Sequence, residues 1–200
     1  MPLIDLTATP DMAARQRLLL TASRLFYQEG IRATGIDRVI AESGVTKVTF
    51  YRHFASKNLL ICAYLTHRHE RWMAWFGDAL ERHASAGGLA TLGAALGEWL
   101  HDEGFRGCAF LNSVSELGEA LPEVVALTRA HKHEMTAVIA RLLPASPHRG
   151  RLAHAAALAV DGAIVQAQFA NDSDATLASL ALTLHALETA EAAISGPEPR

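Results

Sequence analysis

The chain has 200 residues, half of them hydrophobic and 20% charged, enough apolar material for a packed core and too little charge for a disordered chain. Two cysteines exclude a disulfide framework, and no basic segment leads into an apolar run, so neither a secretory leader nor a membrane span is expected and the protein is expected in the cytoplasm. Beneath the net charge of −3, residues 1–60 carry eight Lys/Arg against five Asp/Glu (+3) and the remainder ten against sixteen (−6), a split that suits one end on a polyanion.

In chain order, residues 1–10 read as a loose tail with Pro2 and Pro10. Ala14, Leu18, Ala22, Leu25 and Phe26 recur at helical spacing, which predicts a first helix over 11–29 stopped by Gly30. Thr34 and Asp37 have the Thr-x-x-acid spacing of a capping box ahead of a short second helix that Ser43-Gly44 interrupts. Thr46 is placed to cap a third short helix ending near His53, and Ser56 a long fourth one from Lys57 to about Ala84. Beyond the Gly87-Gly88 break, further helices are predicted over about 89–102, 108–117, from Pro122 to before Pro144, 149–170 and 173–194. No strand-like alternation appears. The expectation is an all-α protein of about nine helices, with an N-terminal helix-turn-helix unit over 11–56, a larger helical domain over 57–195, and a fraying tail at 196–200.

The segment from Ile36 to Phe54 has the grammar of two helices joined by a tight turn. Ala41 is small where crossing helices approach, Gly44 can take a positive φ, and Val39, Ile40, Phe50 and Phe54 can form a small core with Val45 beneath the turn. Thr46, Lys47, Val48, Thr49, Tyr51, Arg52 and His53 then face outward, a set rich in donors for phosphate oxygens and base edges. A glycine between two short amphipathic helices also occurs in helical proteins that bind no nucleic acid, so the pattern alone leaves both readings open.

The residues Gly30-Ile31-Arg32-Ala33-Thr34, Val39 to Val45, and Lys47-Val48-Thr49-Phe50-Tyr51-Arg52-His53-Phe54-Ala55-Ser56-Lys57-Asn58-Leu59-Leu60 resemble the TetR (tetracycline-repressor-like) family, including its Tyr-x-His-Phe-x-x-Lys segment. The resemblance covers about fifty residues and implies a DNA-binding head made of the first three helices, followed by a variable helical domain that senses a ligand and dimerises. It implies phosphate contacts by Thr34, Tyr51, His53 and Lys57, and major-groove contacts by Thr46, Lys47, Val48, Thr49 and Arg52, with Arg38 reaching from the preceding helix. Val48 departs from the small residue or proline frequent at its site in relatives and offers an apolar contact, for instance to a thymine methyl. The function implied is a repressor released from a palindromic operator by a small organic effector.

A monomer reads one half-site, so a homodimer is expected. Its seam is expected on the last two helices, where Ala153, Ala156, Ala157, Val160, Ile164 and Ala167 form one close-packing stripe and Leu177, Leu180, Leu184, Leu187 and Ala190 another; the alternative is a buried hairpin within one chain. Trp72, Trp75, Phe76, Trp99 and Phe110, with Asn112, Glu116 and Gln166 as polar anchors, are candidates for an effector pocket, and the same aromatic spacing also builds plain core. In some TetR-type regulators a cysteine in a comparable Gly-Cys setting responds to electrophiles, which makes Cys108 a candidate thiol sensor with Arg106 beside it; a small buried hydrophobe is the alternative. His67, His69, His101, His131 and His133 lack the spacing of a helical metal site, and no nucleotide loop or catalytic motif appears, so no metal, no cofactor and no enzymatic activity are expected. Two other functions compete with a ligand-responsive regulator: a DNA-binding protein without an inducer, marked by a sealed second domain, and a helical enzyme or carrier, marked by failure to bind DNA.

Overall fold

The computed structural model describes residues 8–170 and 172–195. Among them are nine α-helices and no strand: α1 (Ala14–Glu29), α2 (Ile36–Ser43), α3 (Lys47–His53), α4 (Lys57–Arg82), α5 (Ala90–Leu100), α6 (Ala109–Leu117), α7 (Pro122–Ala140), α8 (Arg149–Ala167) and α9 (Ser173–Ser195). The all-α expectation holds, and the helix limits move by a few residues. No described helix is long and apolar enough to cross a membrane. The predicted tails at 1–7 and 196–200 lie outside the described residues.

The helices gather into two compact units, each made of two stretches of chain. Among the described residues, one holds 8–72 together with 108–130, and the other holds 73–107 together with 131–170 and 172–195. The units follow no single cut in the sequence, because α6 belongs with the N-terminal helices.

In the first unit, Leu18, Ala22, Leu25 and Phe26 are buried at the spacing the sequence predicts, and Gly30 at φ 92° ends α1. Helix α2 stops through a Schellman motif: Gly44 (φ 64°, ψ 31°) donates to the Ala41 carbonyl and Val45 to that of Ile40. Thr46 caps α3 by accepting the Thr49 N–H at 3.2 Å, and Ser56 caps α4 by accepting that of Leu59 at 3.2 Å. Two expectations are corrected. The Thr34 hydroxyl does not cap α2, whose N-cap is Gly35; it turns back and donates to the Gly30 carbonyl at 2.8 Å. Ala41 is exposed, and the inward position in this turn of α2 belongs to Val39.

In the second unit α5, α8 and α9 pack together, and Trp75, Trp99 and Phe105 meet edge to face with centroids 6.0 and 5.3 Å apart. The α8 stripe expected at a dimer seam is buried within the protomer, with Leu180 and Leu184 of α9. Small residues at helical spacing serve close approach equally well within a chain, and here they do so. Among the described residues, the large apolar side chains left outward here are Leu158 (60% exposed) and Val165 on α8, Phe169 (68%) in the turn after it, and Leu182 (72%) on α9.

Candidate nucleic-acid interface

Helix α3 has seven residues, too few to hold its own conformation in water, so its presentation depends on what anchors it. Phe50 and Phe54 are that anchor: both are buried, with ring centroids 6.3 Å apart. With one side of α3 turned inward, Thr46, Lys47, Val48, Tyr51, Arg52 and His53 are all exposed and Thr49 is half-exposed. Val48, 70% exposed, stands apolar in the middle of this polar side. The Thr46 and Thr49 hydroxyls lie 2.9 Å apart, and the Lys47 ammonium reaches Asp37 at 3.4 Å, a solvated pair that water or another anion can replace.

Arg38, implied to reach from α2 toward the groove, is paired at the surface. Its guanidinium is held by Glu29 (Nη2 to Oε1, 2.7 Å) and Glu42 (Nε to Oε1, 2.8 Å), and Glu42 also pairs with Arg24. The Glu29 and Glu42 hydrogen bonds raise the Arg38 pKa, while Arg38 and then Arg24 hold the Glu42 carboxyl below its ordinary value.

Two of the four residues implied as phosphate contacts are placed differently. Thr34 is fully buried and offers no surface to a backbone. The Lys57 ammonium donates to the Ile31 carbonyl at 2.6 Å and lies 5.9 Å from the Phe26 ring centroid; burial pulls its pKa down, and nearby Glu116 opposes that shift. Tyr51 and His53 remain at the surface.

Sequence reasoning missed the residues that lock the junctions of this head. Glu116, expected in a pocket, accepts the Ile31 N–H at 3.2 Å and the Arg32 N–H at 2.7 Å, while Arg32 Nε donates to the Glu116 carbonyl at 2.6 Å. The α1–α2 loop is therefore held by α6 through its amides and by α4 through its carbonyl. Arg17 of α1 bonds the α2–α3 turn. Neither residue carries a local motif; an acid or arginine bonded to distant backbone groups shows only in three dimensions.

The other pocket candidates divide between the units. Trp72 and Phe110 are buried and Asn112 half-buried in the first; Phe76 and Trp99 are buried, Trp75 half-buried and Gln166 exposed in the second. The second unit carries an open groove of about 530 Å³ between α8 and α9, lined by Gly162, Gln166 and Thr176 among others, and one of about 460 Å³ between α5 and α9. Gln166 alone of the candidates lines either. Cys108 is buried at the start of α6, and Arg106 gives its Nη1 to the Glu103 and Phe105 carbonyls at 3.0 and 2.7 Å.

A short helix with an uncovered polar side, capped by Thr46 and set on its predecessor by a left-handed glycine, defines a helix-turn-helix DNA-binding protein. The sequence profile "Bacterial regulatory proteins, tetR family" matches residues 18–64. The TetR-family transcriptional regulator SCO4454 from Streptomyces coelicolor is 30% identical, superposes with a TM-score of 0.78, and is matched over 88% of this chain and 89% of its own. The chain belongs to the TetR family of transcriptional regulators. Among curated relatives, the HTH-type transcriptional activator FasR of Mycolicibacterium smegmatis is 39% identical over 56 residues, 28% of this chain and 26% of the relative. The uncharacterized HTH-type transcriptional regulator YerO of Bacillus subtilis is 40% identical over 47 residues, 24% of this chain and 16% of the relative. These two matches thus span about a quarter or less of the relatives' lengths.

Proposed function

We propose that the protein is a cytoplasmic, ligand-responsive repressor that binds a palindromic operator as a homodimer and leaves it when a small organic effector binds. In this reading residues 11–56 contact DNA and residues 57–195 sense the effector and join the subunits. The observation that carries it is the exposed side of α3, where Lys47, Val48 and Arg52 are open to solvent while Phe50 is fully buried behind them. Thr46, Lys47, Val48, Thr49 and Arg52 take the base edges, and Tyr51 and His53 the phosphates. Outward Leu158, Val165 and Leu182, with Phe169 in the turn after α8, support a subunit contact along α8 and α9.

The test is selection of bound duplexes from a random pool by the full chain. The reading expects one enriched inverted repeat with half-site centres one helical turn apart, about 34–36 Å, or a multiple of it. It expects Lys47→Ala to relax one base position at a cost of about 1–3 kcal/mol. A pool that returns no preferred sequence overturns the reading. Because FasR is named an activator, a promoter fusion with and without the protein decides the sign of regulation.

A further inference from the structure

Arg17 sits one turn into α1, and its guanidinium is occupied by four backbone carbonyls. Nε donates to Ser43 at 3.1 Å and Nη2 to Gly44 at 3.4 Å, while Nη1 donates to Pro10 at 3.0 Å and Met12 at 3.2 Å. Ser43 is the last residue of α2 and Gly44 the left-handed residue that ends it. The last carbonyls of a helix have no partner within it and form the negative end of its dipole. The Schellman bonds here satisfy Ile40 and Ala41, one turn earlier. Arg17 takes the carbonyls of Ser43 and Gly44, at the point where the chain swings from α2 into α3.

We propose that Arg17 is a positioning residue for DNA recognition. Holding the Ser43 and Gly44 carbonyls from α1 fixes the angle at which α3 leaves α2, and so sets how sharply the protein separates its operator from other DNA. The proposal rests on the DNA-binding reading above. A flat guanidinium with donors on several edges can bond two chain segments at once; a lysine ammonium keeps the charge but not the fork. Since its donors go to carbonyls, Arg17 acts without touching phosphate. Base contacts tolerate little misplacement, whereas a mobile cation still finds phosphates, so tilting α3 costs operator affinity far more than general affinity.

The experiment compares full-length wild type, Arg17→Gln and Arg17→Lys on two probes: the duplex that wild type enriches from a random pool, and a scrambled duplex of the same composition. Affinities are taken at several salt concentrations, on protein whose active fraction is first titrated at stoichiometric DNA. For Arg17→Gln the expected result is a loss of about tenfold or more on the enriched duplex, the discrimination of about one good base contact. The scrambled duplex should change by about twofold or less, with the slope of log affinity against log salt unchanged. Arg17→Lys should recover less than half of the logarithmic loss, and amide exchange at residues 45–50 should quicken in both variants.

An unchanged ratio between the two probes overturns the proposal, even if the variant melts earlier, because that outcome describes a merely structural arginine. A salt slope shallower by about 0.9 overturns it too, since that marks a lost phosphate contact. Full recovery in Arg17→Lys shows that charge alone suffices and also overturns it. If Arg17→Gln does not fold, the probe ratio in Arg17→Lys decides. A wild type that enriches no duplex removes the DNA-binding reading itself, a failure separate from any change in the ratio.

Discussion

Replacing Glu116 with alanine tests the claim that α6 holds the loop between α1 and α2. The carboxylate accepts two backbone N–H groups, Ile31 in a half-buried setting and Arg32 at the surface. A hydrogen bond to a charged group contributes about 1.5–3 kcal/mol, and a donor left unmade away from water costs about 1–3 kcal/mol. Water can replace the carboxylate at Arg32, so most of the loss falls on Ile31, and the sum comes to about 2 kcal/mol. For a chain of this length that lowers the melting temperature by about 4–8 °C. Glu116→Gln keeps one acceptor but points an amide N–H at the other donor, so it should fall between wild type and Glu116→Ala. Urea unfolding followed by circular dichroism gives the free-energy change, at one fixed protein concentration because subunit association adds to stability. Amide exchange at Ile31 and Arg32 supplies the local readout. If Glu116→Ala stays within about 0.5 kcal/mol of wild type, the range of an ordinary surface substitution, the loop is held by something else.

In the second unit Trp99→Ala removes a buried indole between Trp75 and Phe105 and should cost about 3–5 kcal/mol in urea unfolding; a loss below about 1 kcal/mol contradicts the packing described. The Glu42 carboxyl, held by Arg38 and Arg24 below its ordinary 4.5, contributes stability that is present above that value and lost as pH falls through its folded-state pKa. Glu42→Gln should therefore be less stable than wild type at pH 7, with the gap closing in acid; a gap independent of pH refutes the assignment. The double variant Leu158→Glu/Leu182→Glu should sediment as a monomer with its helical content intact, whereas an unchanged oligomer moves the subunit contact away from these side chains.

The turn at the heart of the head was legible because its signals are local. Gly44 takes the left-handed conformation and Thr46 caps α3, each from the residue's own chemistry. Less legible were positions at which a side chain has two possible partners. Thr34 has the spacing to cap α2, but its hydroxyl also reaches a carbonyl four residues back and bonds that instead. Lys57 sits at a helix start where phosphate contacts are common, and its ammonium also meets the Ile31 carbonyl. On α8 the stripe from Ala153 to Ala167 reads the same whether it meets a helix of its own chain or another's. Periodicity reports that a face is buried, not by what. The aromatic set beyond residue 70 suffered the same ambiguity, since core and pocket share one spacing.

The aim of α3 is a property of its junctions more than of α3 itself. Phe50 within α3 and Phe54 at its C-cap fix which side faces inward, but two rings alone do not fix the tilt of a seven-residue helix. What restrains pivoting is the path of the chain on the way in. Gly30, Ile31 and Arg32 at the first junction, and Ser43 and Gly44 at the second, have backbone groups bonded by Thr34, Lys57, Glu116 and Arg17. Three of those side chains are long and charged, which lets a head with a small core be stiffened by bonds that need little buried area. Two of them, Lys57 and Glu116, come from α4 and α6, beyond the three N-terminal helices. A displacement of α6 by even an ångström must therefore either stretch the bonds at Ile31 and Arg32 or carry α2, and α3 behind it, along.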